Sequence, residues 1–244
     1  MDSFLAEFIG TTILMLLGVG VNANTSLKNT IGSENSNWVL VSMAWGLSVF
    51  VAVFITGQFS GAHLNPAVTI GLATIGKFSW SLVPTYIFIQ LLGAIFGSWL
   101  AYLVYIDHYR ATDNEDTVRG SFCTGPAIKN YKNNFFSEAV ATFILVFGIF
   151  YIVEPNLEIQ GEVVNFGLGA LAALPVGILV WVIGMTLGGT TGFAINPARD
   201  FGPRLVYSLL PRKNKNADWS YSWIPIFGPF SGAIIAGLLY NFIM

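Results

Sequence analysis

Two tripeptides in this 244-residue chain have side chains suited to handling a polar solute: Asn65-Pro66-Ala67 and Asn196-Pro197-Ala198, which lie 131 residues apart. Asparagine is a preferred helix N-cap and proline is favoured at the first helical position, so each tripeptide spells the start of a helix. A single Asn-Pro marks an ordinary turn. Two in register mark a repeated element, and their amides can donate hydrogen bonds to a passing oxygen. The stretches before them, Gly61-Ala62-His63-Leu64 and Gly192-Phe193-Ala194-Ile195, can present successive backbone carbonyls as acceptors. Glu7 and Glu138, also 131 residues apart, are acceptors suited to backbone N–H groups that lack helical partners, with a proton relay as the rival reading. Arg199 stands where the first copy has Val68. No metal-binding or nucleophilic constellation accompanies His63, and nothing calls for a cofactor or an enzyme's reaction centre.

The elements that must position these residues are membrane spans. The chain is 54% hydrophobic and 10% charged, against roughly 25% charged in a soluble domain. Its basic residues are scattered and the net charge is −2, which excludes a nucleic-acid partner. The single cysteine, Cys123, has no internal disulfide partner and reads as a loop residue. Six apolar runs suffice to cross a bilayer: Leu5–Val21, Trp38–Thr56, Leu82–Ile106, Phe135–Val153, Leu168–Leu187 and Trp223–Phe242. The first begins beside Met1 with no basic leader, so it reads as a retained span and not a signal peptide. Asp107 to Asn134 is polar and reads as a surface loop.

Two further connections, Gly57–Ser81 and Gly188–Tyr221, each contain an apolar piece of about ten residues, too short to span. They are predicted to re-enter the membrane. Each half then holds three spans and one half-helix, and an odd number of crossings inverts the second copy. The predicted organisation is a single channel domain over 1–244, with repeats at 1–106 and 135–244 joined by 107–134. Irregular backbone at membrane depth survives only where it is buried or lines a watery cavity, so the two half-helices imply a polar conduit. Their N-termini, each carrying about half a positive charge, disfavour cations and protons at its centre. A guanidinium at that depth is costly in lipid and points to function.

Ser60-Gly61-Ala62-His63-Leu64-Asn65-Pro66-Ala67-Val68-Thr69 and Thr191-Gly192-Phe193-Ala194-Ile195-Asn196-Pro197-Ala198-Arg199-Asp200 resemble the paired signatures of the aquaporin, or major intrinsic protein, family. The resemblance covers nearly the whole chain. It implies an all-α membrane fold of six transmembrane helices plus two re-entrant half-helices. It also implies a selectivity filter of Trp45, Gly184, Phe193 and Arg199, in which two aromatic faces and one guanidinium fork suit a polyol. Strict water channels of the family usually carry histidine where Gly184 stands. Asp200 and Arg204 match a pair typical of the glycerol-facilitator branch, and both are expected to be structural. Asp200 also sits where the helix dipole favours a carboxylate.

A passive channel for glycerol, water, dihydroxyacetone, urea or undissociated lactic acid is therefore expected, with ions and protons excluded. A water-dominant channel and an ion-coupled transporter are the alternatives. The family likeness further implies a homotetramer in the plasma membrane with both termini cytoplasmic. That orientation puts Lys28, Arg110, Arg119, Lys129, Lys132, Arg212, Lys213 and Lys215 outside and only Lys77 inside, against the positive-inside rule. The acidic loop of Glu154, Glu158 and Glu162 would face the cytoplasm. Small residues at helical spacing, Gly93 with Gly97 and Ala233 with Gly237, are expected at close helix contacts.

Overall fold

The computed structural model describes residues 1–34, 36–153, 156–159, 162–165 and 167–244. Its helices in chain order are α1 (Ser3–Ser26), α2 (Trp38–Ser60), α3 (Pro66–Thr74), α4 (Val83–Val104), α5 (Ile106–Ala111), α6 (Glu115–Phe122), α7 (Tyr131–Phe150), α8 (Leu174–Leu187), α9 (Pro197–Leu209) and α10 (Ile224–Ile243). Short 3-10 turns at Trp80–Leu82 and Gly169–Ala173 lead into α4 and α8. Six of these segments are long and apolar enough to cross a membrane. The starts of α1, α2, α6 and α7 are set by Asp2, Asn37, Asn114 and Asn130, whose side chains accept from the first-turn N–H groups.

α1, α2 and α4 with the half-helix α3 form one copy of the repeat, and α7, α8 and α10 with the half-helix α9 form the other. α1 packs on α4 and α7 on α10, while α2 meets α8 across the junction of the copies. Each half-helix also crosses to the opposite copy, α3 reaching α10 and α9 reaching α4. Glycine makes these crossings close. A Cβ at Gly93 would lie 2.6 Å from the Phe8 carbonyl oxygen, and one at Gly228 would lie 2.8 Å from Glu138 Cβ. Gly97 and Gly232 likewise abut the backbones of α1 and α7. Gly237 faces Thr74 of α3, and Ala233 is fully buried. In lipid such small-residue contacts replace the hydrophobic drive that water supplies to soluble folds.

Several sequence expectations need correction. The 107–134 segment is not a plain surface loop: it carries α5, α6 and the first turn of α7, which starts at Tyr131. Tyr109, Val118 and Phe122 are fully buried against Val19, Leu27 and Tyr207. Cys123 is buried as well, at the end of α6. The first helix runs to Ser26, well past Val21. The helical fold itself is as expected, with one short addition: Asn156–Ile159 and Glu162–Asn165 pair as an antiparallel ribbon, Asn156 opposite Asn165. Glu158 and Glu162 belong to that ribbon, while Glu154 lies outside the described residues.

Candidate functional site

The half-helices meet at their N-termini. Asn65 Oδ1 accepts from the Ala67 N–H at 2.8 Å, and Asn196 Oδ1 accepts from the N–H groups of Ala198 at 3.0 Å and Arg199 at 3.2 Å. Each amide nitrogen then reaches across the junction. Asn65 Nδ2 donates to the Ile195 carbonyl at 2.8 Å, and Asn196 Nδ2 donates to the Leu64 carbonyl at 2.9 Å. An amide has two N–H donors, so each asparagine keeps one after bracing the opposite loop.

The loops before the caps adopt the same unusual backbone twice. Gly61, Ala62 and Leu64 have φ of 79°, 47° and 50°; their repeat mates Gly192, Phe193 and Ile195 have 81°, 40° and 45°. Left-handed conformations are uncommon for residues other than glycine and persist only when surroundings enforce them. The enforcing groups are the two buried carboxylates. Glu7 accepts from the N–H groups of His63 at 2.9 Å and Leu64 at 2.8 Å, from Ser60 Oγ at 2.7 Å and from Gln90 Nε2 at 2.8 Å. Glu138 accepts from the N–H groups of Ala194 and Ile195 at 2.9 Å and from Thr191 Oγ1 at 2.6 Å. His63 Nδ1 lies 3.1 Å from Thr69 Oγ1, and its ring packs against Phe78 and Tyr86.

A narrow cavity of about 120 Å³ runs along these loops. Its lining combines residues 61–65 and 193–196 of the two loops and Arg199 with apolar side chains that include Leu14, Val49, Val53, Leu145, Val176 and Val180. Trp45, Phe193 and Arg199 line it together, and Val68 lines it at the repeat-equivalent position of Arg199. Gly184 and Gly192 do not line it. Gly184 lies behind the Phe193 ring, where a Cβ would fall 2.9 Å from Phe193 Cζ and from Ser42 Cβ. Its missing side chain is the space that ring occupies.

Arg199 is 5% exposed and stands in the first turn of α9, where the helix dipole disfavours a cation. Among the described residues it forms no ion pair, and its Nη1 has no hydrogen-bond partner. Its Cζ lies 4.1 Å from the centre of the Trp45 ring. Asp200 beside it is engaged elsewhere, accepting from the Thr124 N–H and Oγ1 at 2.8 and 2.6 Å and from Arg204 Nε at 2.7 Å. Arg204 also donates to the carbonyls of Thr124 and Ala217, fastening two loops to α9.

The major intrinsic protein family description matches residues 1–240. The chain belongs to the major intrinsic protein family. It is 50% identical over 244 residues to a Thermotoga maritima protein named "Probable glycerol uptake facilitator protein", covering all of both chains. It is 46% identical over 242 residues to the glycerol uptake facilitator protein of Streptococcus pneumoniae strain R6, covering 99% of each. Among solved structures it is similar to the aquaglyceroporin from Plasmodium falciparum, with a TM-score of 0.82 and 33% identity over 98% of this chain and 94% of that one. This membership makes the chain a multi-pass membrane protein of a channel family, with six spans and two half-helices.

Three residues of the site escaped the sequence reading. Gln90 bridges Glu7 and Thr69, and a lone glutamine inside an apolar span was a legible sign of it. Trp38 donates from Nε1 to the Gly184 carbonyl at 2.8 Å and packs edge-on against Phe193, with ring centres 5.7 Å apart. Asn22 fell just past the first apolar run, yet it accepts from Trp45 Nε1.

Proposed function

We infer that the chain is a passive channel for glycerol and similarly small neutral solutes, water among them, and that it excludes ions and protons. One observation carries this reading: a buried Arg199 with an unpartnered Nη1 lines the same cavity as Trp45 and Phe193, among both loop backbone and apolar side chains. A polyol matches such a lining with both its hydroxyls and its carbon chain. Its hydroxyls bond Arg199, the spare N–H groups of Asn65 and Asn196, and carbonyls of residues 61–64 and 193–195, while its carbon face lies on the aromatic pair. The names of the relatives point to the same solute.

Cation exclusion follows from two helix N-termini and a guanidinium in one low-dielectric passage. Glu7 and Glu138 act as fixed acceptors that hold the loops, since Glu7 already accepts four hydrogen bonds and Glu138 three. A proton relay would need them free to titrate. The chain is read as a plasma-membrane homotetramer with both termini cytoplasmic, on the family likeness. Three of the basic residues this places outside have bonding roles there. Arg212 donates to Glu115 and to the Tyr109 and Thr112 carbonyls, Arg119 to Asp116 and the Asn216 carbonyl, and Lys129 to Asp218.

The test is light scattering of proteoliposomes shocked with glycerol, urea, lactic acid at acidic pH, or an impermeant sugar, with empty vesicles as control. Rapid re-swelling in glycerol, independent of sodium or proton gradients, is the expected result. Accelerated water efflux without glycerol flux would overturn the solute assignment, and gradient-dependent uptake would overturn the passive mechanism.

A further inference from the structure

The indole of Trp45 is held by a residue outside the cavity wall. Its Nε1–H donates to Asn22 Oδ1 at 3.1 Å, and Asn22 Nδ2 donates to the Ser121 carbonyl of α6 at 3.2 Å. The amide can be oriented only one way here, because an indole N–H can only donate and a carbonyl can only accept. Gly18, one turn earlier on α1, clears the space for the ring: a Cβ there would fall 2.7 Å from Trp45 Cε3 and closer still to its outer edge. α1 thus gives Trp45 both a slot and a fixed hydrogen-bond partner. A buried indole N–H without a partner would be destabilised and free to seek another rotamer.

We propose that Asn22 is a positioning residue for the constriction: it fixes the Trp45 indole against Arg199 and ties it to the outer helix α6, setting the room left for a solute's carbon face. The proposal rests on Trp45 being a wall of the solute path. Asn22 itself never needs to touch solute. Any displacement of α6 would be passed to the filter through this amide.

The experiment compares glycerol and water permeabilities of proteoliposomes, each normalised to inserted protein. Asn22→Leu should lower the glycerol-to-water ratio about fivefold, the factor that follows from one buried hydrogen bond. In a Trp45→Phe background, where no indole N–H remains, Asn22→Leu should change the ratio no further. An unchanged ratio in the first case, or an equal shift in both backgrounds, overturns the proposal. A merely structural role for Asn22 would lower both permeabilities together in either background.

Should Asn22→Leu fail to insert, the wild-type protein decides. The Trp45 indole proton, assigned by its loss in Trp45→Phe, should exchange slowly with deuterated solvent in a nuclear magnetic resonance measurement. Fast exchange overturns the proposal. Lack of glycerol flux in the wild type would refute the channel reading instead, and the indole measurement would still decide the Asn22 bond.

Discussion

The guanidinium carbon of Arg199 lies 4.1 Å from the centre of the Trp45 ring, so the cation leans on an aromatic ring from the opposite copy of the repeat and not on a carboxylate. Such a contact contributes about 0.5–2 kcal/mol and leaves the N–H donors unconsumed. A carboxylate partner would occupy the donors and cancel the charge. The arrangement therefore keeps both properties available to whatever occupies the cavity.

Replacing Arg199 with Val, the residue found at the repeat-equivalent Val68, removes that charge. A unit charge 4 Å away at an effective dielectric of 20 raises a cation's energy by about 4 kcal/mol, so the barrier loss is up to about a thousandfold. Proton leak into vesicles loaded with a pH-sensitive dye should rise while glycerol flux falls. Unaltered proton tightness would show that the half-helix dipoles alone suffice.

Gly184→His puts a side chain where Phe193 and Ser42 already lie, 2.9 Å from the new Cβ. The Phe193 ring must move toward the cavity it lines. Glycerol permeability should fall well below water permeability in the same vesicles. Equal loss of both would mean that the variant disrupts α8 and does not narrow a filter.

Glu138→Gln substitutes an amide NH₂ for one oxygen that accepts from Thr191, Ala194 or Ile195. Each donor left without an acceptor costs about 1–3 kcal/mol, so the thermal midpoint in detergent should drop by several degrees. Flux should drop with it. A variant of full stability that loses only proton-coupled transport would favour the relay reading.

Arg204→Met strands the buried Asp200 carboxylate, at an expected cost of about 3–5 kcal/mol because one partner of a buried pair is removed alone. Pairing it with Asp200→Leu should recover much of the loss. Thermal unfolding of the single and double variants measures this. A double variant no more stable than Arg204→Met would show that the carbonyls of Thr124 and Ala217 need the guanidinium more than the carboxylate does.

The tripeptides and the 131-residue offset made the half-helices legible, because capping chemistry and a missing length for spanning are local properties. The offset also paired Glu7 with Glu138 before any contact was known. The helices α5 and α6 were not legible. Their polar surface hides Tyr109 and Phe122, which are buried only because α1 and α9 come from distant parts of the chain to cover them. The end of α1 was misplaced because Asn22, Thr25 and Ser26 break the apolar run, yet Thr25 and Ser26 bond back to the carbonyls of Val21 and Asn22 and the helix continues.

The sequence by itself determined that six apolar segments cross a bilayer, that two short segments start helices within it, and that a buried arginine breaks the symmetry of the copies. These depend on composition, length and spacing, which the chain carries along its own axis. Tertiary structure alone decided that each asparagine braces the opposite loop, that Gly184 makes room for Phe193 and does not itself line the cavity, and that Asn22 holds Trp45. Each of those joins residues from different helices. A hydrogen bond or a steric gap between them exists only once the helices have packed at one distance and one rotation.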